Sequence, residues 1–195
     1  LVSALIEAAE VADPALTADE LVGACTLLLF GGHETTTNLI GNTVHSLLTH
    51  RDQHRRFVDD VDGRSTGLEE LHRYDGSSKV MVRIAAVDHA RAGVEMSAGD
   101  TVFLGIGSAN RDPAVFEHPD DLILDRPNAH RHLGYGYGIH FCLGAPLARL
   151  ETQIAVGRLV DRLPDLELAV ASGELEYGAT ILGRGLRSLP VALGH

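Results

Sequence analysis

The sequence predicts a mainly α-helical fold with a small β portion. Two long stretches, at about residues 18–49 and 145–163, carry apolar residues at the spacing of a helix. Between them, residues 80–106 change to the apolar–polar alternation that is typical of short strands joined by turns. The two periods occur in one chain, so we expect helices to dominate and the strands to form a smaller part.

The N-terminal region is predicted to be helical with one break. Residues 1–10 read as the end of a helix, and Asp13-Pro14 marks a turn. Thr17 and Glu20 have the spacing of a capping box, which predicts a helix start. The helix of 18–49 is apolar on several sides, which predicts a buried central helix.

The remaining elements follow in order along the chain. Leu68–Tyr74 reads as a further helix, and residues 107–133 read as a long irregular loop. A loop of this length inside a compact domain is usually functional. Residues 166–194 read as strand pieces around glycines. We find no repeat, low-complexity tract or linker, and we expect residues 1–195 to form a single domain.

Composition excludes several function classes. Hydrophobic residues make up 45% and charged residues 22% of the 195 residues, which argues against disorder. The formal net charge is −11, so a nucleic-acid-binding surface is not expected. No apolar run reaches the roughly 18–20 residues that a membrane-spanning helix needs. We therefore expect neither nucleic acid nor membrane as a partner.

The cysteines and the chain start suggest a cellular context. Cys25 and Cys142 lie far apart in different surroundings, which does not indicate a secreted disulfide framework. A cytoplasmic location is the better expectation. The chain starts at Leu1 rather than Met, inside a helical pattern, so we expect a segment of a longer protein.

A glycine-rich stretch around Cys142 is the strongest chemical signal. Gly136 and Gly138 precede the cysteine, Gly144 follows it, and a helix begins immediately afterwards. Glycines allow a close approach of backbone to a flat ligand, and a helix N-terminus favours a thiolate over a thiol. Such a thiolate can be an axial ligand of iron. The alternative interpretation is a buried structural cysteine beside a glycine-rich loop.

This stretch resembles the cytochrome P450 signature Phe-Gly-x-Gly-x-His-x-Cys-x-Gly, which is followed by a Leu-Ala-Arg helix. The sequence matches that signature at Gly136, Gly138, His140, Cys142 and Gly144, and again at Leu147-Ala148-Arg149. It departs at Tyr135, where the family has phenylalanine. The resemblance implies that Cys142 ligates the iron of haem b and that His140 hydrogen-bonds a haem propionate. The Tyr135 ring would pack under the haem, and its added hydroxyl would need a partner.

A second resemblance lies on the long helix. Phe30-Gly31-Gly32-His33-Glu34-Thr35-Thr36 is similar to the oxygen-binding groove of the family. There, Gly31 and Gly32 would let the helix pass tightly over a planar ligand. Thr35 would hydrogen-bond bound dioxygen, and Glu34 would feed protons through water. Without the Cys142 stretch downstream, the same residues would read as a glycine-weakened helix with a solvated glutamate.

Two further resemblances involve arginines. Glu70 and Arg73 are spaced i, i+3 on one helix face, which by itself usually means a surface ion pair. In the family this pair is buried and binds an arginine from an irregular loop, for which Arg126 is the candidate, so we expect a structural clamp on the Cys142 loop. Arg83, in a predicted strand, matches a family arginine that binds haem propionate.

The resemblance implies the C-terminal, haem-binding half of a soluble bacterial cytochrome P450, and hence an incomplete fold of that family. It implies a monooxygenase that hydroxylates a small apolar organic substrate with dioxygen and electrons from a ferredoxin- or flavodoxin-type partner. Arg131, Arg149 and Arg158 are candidates for attracting that partner. The candidate pocket-lining residues are Leu27, Phe30, Gly31, Val80, Met81 and Ile181.

Three alternatives remain open at this stage. One is a non-catalytic haem-binding remnant, because half of the pocket is absent and water would reach the distal side. Another is a cysteine-nucleophile enzyme that uses Cys142 and His140, which would share a face if they lay on a strand. A zinc site formed by His130, His132 and His140 is the third, although no second cysteine lies nearby.

Overall fold

The computed structural model describes residues 2–11, 15–178 and 180–193. It divides into two compact units, Leu1–Thr35 and Thr36–His195. Leu1 and the turn predicted at Asp13-Pro14 lie outside the described residues. Within the described ranges, no helix is long and apolar enough to cross a membrane.

Helices dominate the structure, which confirms the predicted class. The helices are α1 (Val2–Val11), α2 (Ala18–Thr49), α3 (Arg51–Asp59), α4 (Arg64–Asp75), α5 (Ile106–Ala109) and α6 (Ala145–Arg162). Short 3₁₀ turns occupy Ala129–Arg131, Gly138–His140 and Ser172–Glu174. The strands are β1 (Val80–Ile84), β2 (His89–Arg91), β3 (Val94–Met96), β4 (Thr101–Gly105), β5 (Leu166–Leu168) and β6 (Val191–Leu193).

The first unit contains α1 and the N-terminal part of α2. The predicted capping box is present, since the Thr17 backbone N–H donates to Glu20 Oε2 at 2.8 Å and the Glu20 N–H donates to Thr17 Oγ1 at 3.3 Å. Each partner satisfies an N–H group that the first helical turn leaves without an intrahelical acceptor. The sequence therefore located the start of α2 correctly.

Burial along α2 corrects one prediction. In its N-terminal part, Leu29 is 73% and Phe30 68% exposed, so the helix is not buried there. In its C-terminal part, Leu39, Leu47 and Leu48 are buried in the second unit. The expectation of a fully buried central helix is thus wrong for the first half, because within the first unit no described side chain covers these residues.

The core of the second unit lies where α2, α3, α4 and α6 meet the loop around residue 124. Its buried apolar members are Val44, Leu47, Leu48, Phe57, Leu71, Leu122, Leu124, Val156, Val160 and Leu166. Helix α3 was not predicted, because its sequence is largely charged and only His54 and Phe57 are buried. The single turn between these two residues is too short a pattern to mark a helix.

The strands form three antiparallel pairs. β1 pairs with β4 from Val80 opposite Gly105 to Ile84 opposite Thr101, β2 pairs with β3, and β5 pairs with β6. β2 was not predicted, since His-Ala-Arg has no apolar alternation. Each hairpin is short, and β1 begins at Val80, opposite the end of β4, from which the chain continues into α5 and the long loop.

Candidate functional site

A buried ion cluster organises the loop that precedes Cys142. Glu70 receives two hydrogen bonds from Arg73, with Nε–Oε2 at 2.6 Å and Nη2–Oε1 at 2.8 Å. Arg126 Nε donates to both carboxylate oxygens at 3.0 Å. All three side chains are almost completely buried. The predicted partnership of these residues is therefore confirmed, and the surface-pair alternative is wrong.

The remaining N–H groups of Arg73 and Arg126 donate hydrogen bonds to backbone carbonyls of the loop. Arg73 donates to the carbonyls of Asn110, Pro119 and Asp121 at 2.8–3.0 Å. Arg126 donates to the carbonyl of Glu117 at 2.5 Å and to those of His118 and Asp121. These bonds satisfy buried backbone acceptors that an irregular loop cannot pair with itself. The clamp thus holds the loop of residues 110–126 rather than the Cys142 loop directly, which corrects the prediction.

One side chain connects this clamped loop to the stretch that carries Cys142, residues 133–144, here called the Cys loop. The side-chain oxygen of Asn110, a buried residue, accepts a hydrogen bond from the Leu133 N–H at 2.7 Å. The carbonyl of the same Asn110 is bound by Arg73. The start of the Cys loop is therefore fixed to the Glu70 cluster through one residue.

The Cys loop presents Cys142 at the surface. The Cys142 N–H donates to the Tyr135 carbonyl at 2.8 Å, which closes the loop on itself. Gly136 and Gly138 have φ angles of 76° and 70°, a region that side-chain-bearing residues rarely adopt. Cys142 is exposed and precedes the first residue of α6, Ala145, by three positions. The structural-cysteine alternative, which requires burial, is contradicted.

The apolar side chains that neighbour Cys142 in the sequence are exposed. Ile139 is 98% exposed, Leu143 88%, and Phe141 51%. A Cβ atom built on Gly144 would lie 3.9 Å from Cys142 Sγ, so the glycine leaves the sulfur open on that side. Contiguous patches of exposed apolar side chains usually mark a binding surface.

A support cluster of five side chains forms around Tyr135 of the Cys loop: Glu69, His72, His132, Tyr135 and Arg149. Tyr135 is buried, its ring meets His72 edge-on at a centroid distance of 4.4 Å, and the Arg149 guanidinium lies 4.4 Å from the Tyr135 ring centroid. His72 and His132 have centroids 4.4 Å apart. The aromatic ring of Tyr135 is thus packed within the cluster, while its hydroxyl makes no hydrogen bond among the described residues.

Charge pairing holds this cluster together. Arg149 donates to Glu69 through Nε at 2.7 Å and Nη2 at 2.9 Å, and His132 Nε2 lies 3.2 Å from Glu69 Oε2. Burial raises the pKa of Glu69, but the hydrogen bonds from Arg149 and His132 outweigh it and hold that pKa at about 2. Burial raises the pKa of Tyr135 to about 12. Glu69 is therefore ionised and Tyr135 neutral at neutral pH.

The other residues predicted around Cys142 are exposed. His140 ends the 3₁₀ turn Gly138–His140, so it and Cys142 do not lie on a strand, and the premise of a shared face for a cysteine nucleophile is wrong. Arg83 lies on β1 and donates through Nη1 to the Val82 carbonyl at 2.9 Å. Their roles toward a propionate stay predictions.

The predicted oxygen groove lies in the first unit. Gly31, Gly32, Glu34 and Thr35 are all exposed on an unbroken stretch of α2. A Cβ atom built on Gly31 or Gly32 would meet nothing within 4 Å, so packing within the described chain does not explain these glycines. Thr35 Oγ1 donates to the Gly31 carbonyl at 2.6 Å. The functions predicted for these residues stay predictions.

Sequence reasoning missed two of the five residues of the support cluster. Neither His72 nor Glu69 was singled out. Their contacts join residues at least 60 positions apart, such as Glu69 with His132 and Arg149. Only the adjacency of Glu69 to Glu70 could have drawn attention to Glu69. Within the described ranges, no group of three or more histidine, cysteine or acidic side chains is placed to hold a metal ion.

Comparison with known proteins places these features in one family. The family model described as cytochrome P450 matches residues 65–165. The vitamin D(3) 25-hydroxylase of Pseudonocardia autotrophica is 44% identical over 195 residues, which is 100% of this chain and 48% of that protein. The polyketide biosynthesis cytochrome P450 PksS of Bacillus subtilis (strain 168) is 43% identical over 99% of this chain and 47% of its own length.

Solved structures agree with the sequence matches. The tirandamycin C-bound P450 monooxygenase TamI superposes with a TM-score of 0.94 at 41% identity, over 99% of this chain and 48% of that chain. P450BioI in complex with an acyl carrier protein ligated to hexadec-9Z-enoic acid superposes with a TM-score of 0.88 at 40% identity, over 92% of this chain and 46% of that chain. The chain thus spans about half the length of the relatives that it matches.

Proposed function

Because the chain belongs to the cytochrome P450 family, we propose that it is the haem-binding C-terminal part of a monooxygenase. The reaction would hydroxylate a small, largely apolar organic substrate with dioxygen, in the cytoplasm. One observation carries the proposal: Cys142 is exposed at the N-terminal end of α6, on a loop closed by the bond from its own N–H to the Tyr135 carbonyl.

Haem b is the cofactor of the family, and the residues around Cys142 fit it. The sulfur is accessible, the side of Gly144 is open, and exposed apolar side chains flank the loop. A flat apolar ligand would cover these side chains, and the helix N-terminus favours a negatively charged sulfur. Cys142 would hold the iron, while His140 and Arg83 would contact the propionates through charge-assisted hydrogen bonds.

When bound, the haem supplies the activation of dioxygen. The chain's own residues would position it and handle protons. On the α2 segment, Thr35 already donates its hydroxyl proton to the Gly31 carbonyl, which leaves the oxygen lone pairs of Thr35 available to accept a hydrogen bond. The exposed carboxylate of Glu34, one position earlier in the chain, would take up protons from solvent and release them to water near this hydroxyl.

Electrons would come from a ferredoxin- or flavodoxin-type partner that docks near the Cys loop. Arg131 and Arg158 are exposed, whereas the charge of Arg149 is already paired with Glu69. Arg131 and Arg158 are therefore the better candidates for attracting an acidic partner. The relatives differ in what their names say they act on, so only the general substrate class, a small apolar organic molecule, is proposed.

The ligand role of Cys142 is tested by Cys142→Ser, with Cys25→Ser as the matched control. We expect wild type and the control, supplied with haem, to give a ferrous–carbon monoxide spectrum of the thiolate type. The Cys142→Ser variant should lose that spectrum, because a hydroxyl is a poor substitute for a thiolate. A folded wild-type protein that takes up no haem, or a thiolate spectrum in Cys142→Ser, would contradict the proposal.

The second candidate function, a non-catalytic haem-binding remnant, is favoured by the exposure of Phe30 and Leu29 on the segment that carries Thr35. Water reaching this side would divert reducing equivalents from the substrate. Turnover with a ferredoxin, its reductase and a panel of small apolar compounds separates the two. Hydroxylated product supports the enzyme, whereas a thiolate spectrum with consumption of reductant and no product supports the remnant.

A further inference from the structure

His72 is a buried imidazole that the proposed reaction does not use. It lies on α4, is 4% exposed, and its Nδ1 has no hydrogen-bond partner. Its ring contacts the rings of His132 and Tyr135, each at a centroid distance of 4.4 Å. Burial lowers its pKa well below the ordinary value of 6.5, so the ring is neutral. A buried polar ring with an unpaired nitrogen is costly, and its retention calls for a physical reason.

The backbone of the Cys loop is shaped around this ring. A Cβ atom built on Gly134 would lie 2.3 Å from His72 Nε2 and 2.7 Å from His72 Cδ2. The same ring lies close to the backbone of Gly76, where a Cβ atom would lie 2.6 Å from His72 Cδ2. A side chain at position 134 would therefore overlap the buried His72 ring and force it to shift.

The contact reaches Cys142 through a single intermediate residue. His72 meets the edge of the Tyr135 ring, and Arg149 covers that ring at 4.4 Å, so the two side chains together fix its orientation. The carbonyl of the same Tyr135 accepts the Cys142 N–H at 2.8 Å. A displacement of Tyr135 would thus move the acceptor that positions the cysteine.

A second set of hydrogen bonds fixes His132, the other histidine of the support cluster. The Gly134 N–H donates to His132 Nδ1 at 2.9 Å, so His132 carries its proton on Nε2 and donates it to Glu69. Glu69 is held in turn by two bonds from Arg149. His132 is therefore anchored at both nitrogens and presents a rigid face to His72.

We propose that His72 is a positioning residue for the iron ligand: wedged against Gly134 and the Tyr135 ring, it sets the position of the Tyr135 carbonyl and through it that of Cys142. The inference rests on the proposed function, since it concerns the same sulfur. It adds a residue pair, His72 with Gly134, whose sizes must be matched.

The test is a double-mutant cycle in the haem-supplied protein. Gly134→Ala should lower the melting temperature by on the order of 5 °C and reduce the thiolate-type fraction of the ferrous–carbon monoxide spectrum, because the added methyl group overlaps the imidazole. Adding His72→Ala should remove the overlap and restore most of that fraction. Additive effects of the two substitutions on both measurements would overturn the inference.

Two controls separate positioning from general stability. Gly173→Ala makes the same substitution where a Cβ atom meets nothing within 4 Å, and should change neither measurement. Val160→Ala removes core volume elsewhere and should lower the melting temperature without changing the spectral type. An equal spectral change in Val160→Ala would reduce His72 to an ordinary packing residue and overturn the inference.

The thermal part of the cycle distinguishes the two levels of the proposal. Coupling of His72 and Gly134 in the melting temperature of the haem-free protein would support the contact between these two residues without testing the iron site. Coupling without any thiolate spectrum in wild type would count against the proposed function and against the positioning of an iron ligand. A normal wild-type spectrum without coupling would overturn only the role of His72.

Discussion

Tyr135 connects the backbone that positions Cys142 with the side chains that support the Cys loop. Its carbonyl accepts the Cys142 N–H, and its ring fills the space between His72 and Arg149. The family has phenylalanine at this position, so only the hydroxyl is additional. Because that hydroxyl makes no hydrogen bond among the described residues, the ring rather than the hydroxyl provides the support.

We predict that Tyr135→Phe changes the unfolding free energy by less than about 0.5 kcal/mol and keeps haem bound, since no bond is lost. Tyr135→Leu should cost about 1–3 kcal/mol, because it removes the cation–π contact with Arg149 and the edge contact with His72. Urea denaturation monitored by circular dichroism measures both values. Equal losses in the two variants would show that the hydroxyl matters.

At the scale of single residues, the sequence predicts local backbone features better than contacts between residues far apart in the chain. The glycines around Cys142 were identified from their spacing, and Gly136 and Gly138 do adopt positive φ angles. His72 could not be identified in this way, because its meaning depends on Gly134, which lies 62 positions away. A residue type and its immediate neighbours do not reveal which cavity the side chain will fill.

Among the elements, helix ends and buried charges were easier to predict than polar helices. The Thr17–Glu20 capping box located the start of α2, and the resemblance located Arg126 opposite Glu70 and Arg73. Helix α3 was missed because tertiary packing of His54 and Phe57, rather than a continuous apolar stripe, stabilises it. The exposure of the first half of α2 was missed because an apolar sequence predicts burial but does not identify the side chains that would cover the helix.

The α4–loop clamp gives a prediction of large effect. Glu70→Gln keeps the shape of the side chain but removes the charge that balances Arg73 and Arg126 in a buried site. We expect a loss of about 3–5 kcal/mol in unfolding free energy, because two guanidinium groups then lack a counter-ion. Urea denaturation midpoints at neutral pH provide the measurement.

The matched control for the clamp is Asp120→Asn. Asp120 pairs with Arg111 at 2.7 Å, but its side chain is 82% exposed, so removing its charge should cost at most about 1 kcal/mol. If Glu70→Gln cost no more than this control, the buried cluster would not stabilise the loop of residues 110–126.

For the molecule as a whole, buried histidines determine how stability responds to acid. Burial lowers the pKa of His45, His54 and His72 below the ordinary value of 6.5. As the pH falls through 6.5, these imidazoles take up protons in the unfolded chain but remain neutral in the folded one. The unfolded state then binds more protons, so the free energy of unfolding decreases. Glu69 adds a further decrease as the pH falls from its ordinary 4.5 toward about 2, where its folded carboxylate becomes protonated.

We therefore predict that the melting temperature is highest near neutral pH and falls steadily below pH 6.5. His54→Leu should make this decline shallower, because it removes one group that the unfolded chain protonates and the folded chain does not. Gly173→Ala, which removes no titratable group, is the control and should leave the slope unchanged. The slopes are measured by thermal unfolding followed by circular dichroism, at pH values between about 5 and 8 that are about 0.5 unit apart. A slope that His54→Leu leaves unaltered would mean that this histidine is already protonated in the folded chain, and that acid acts on the molecule elsewhere.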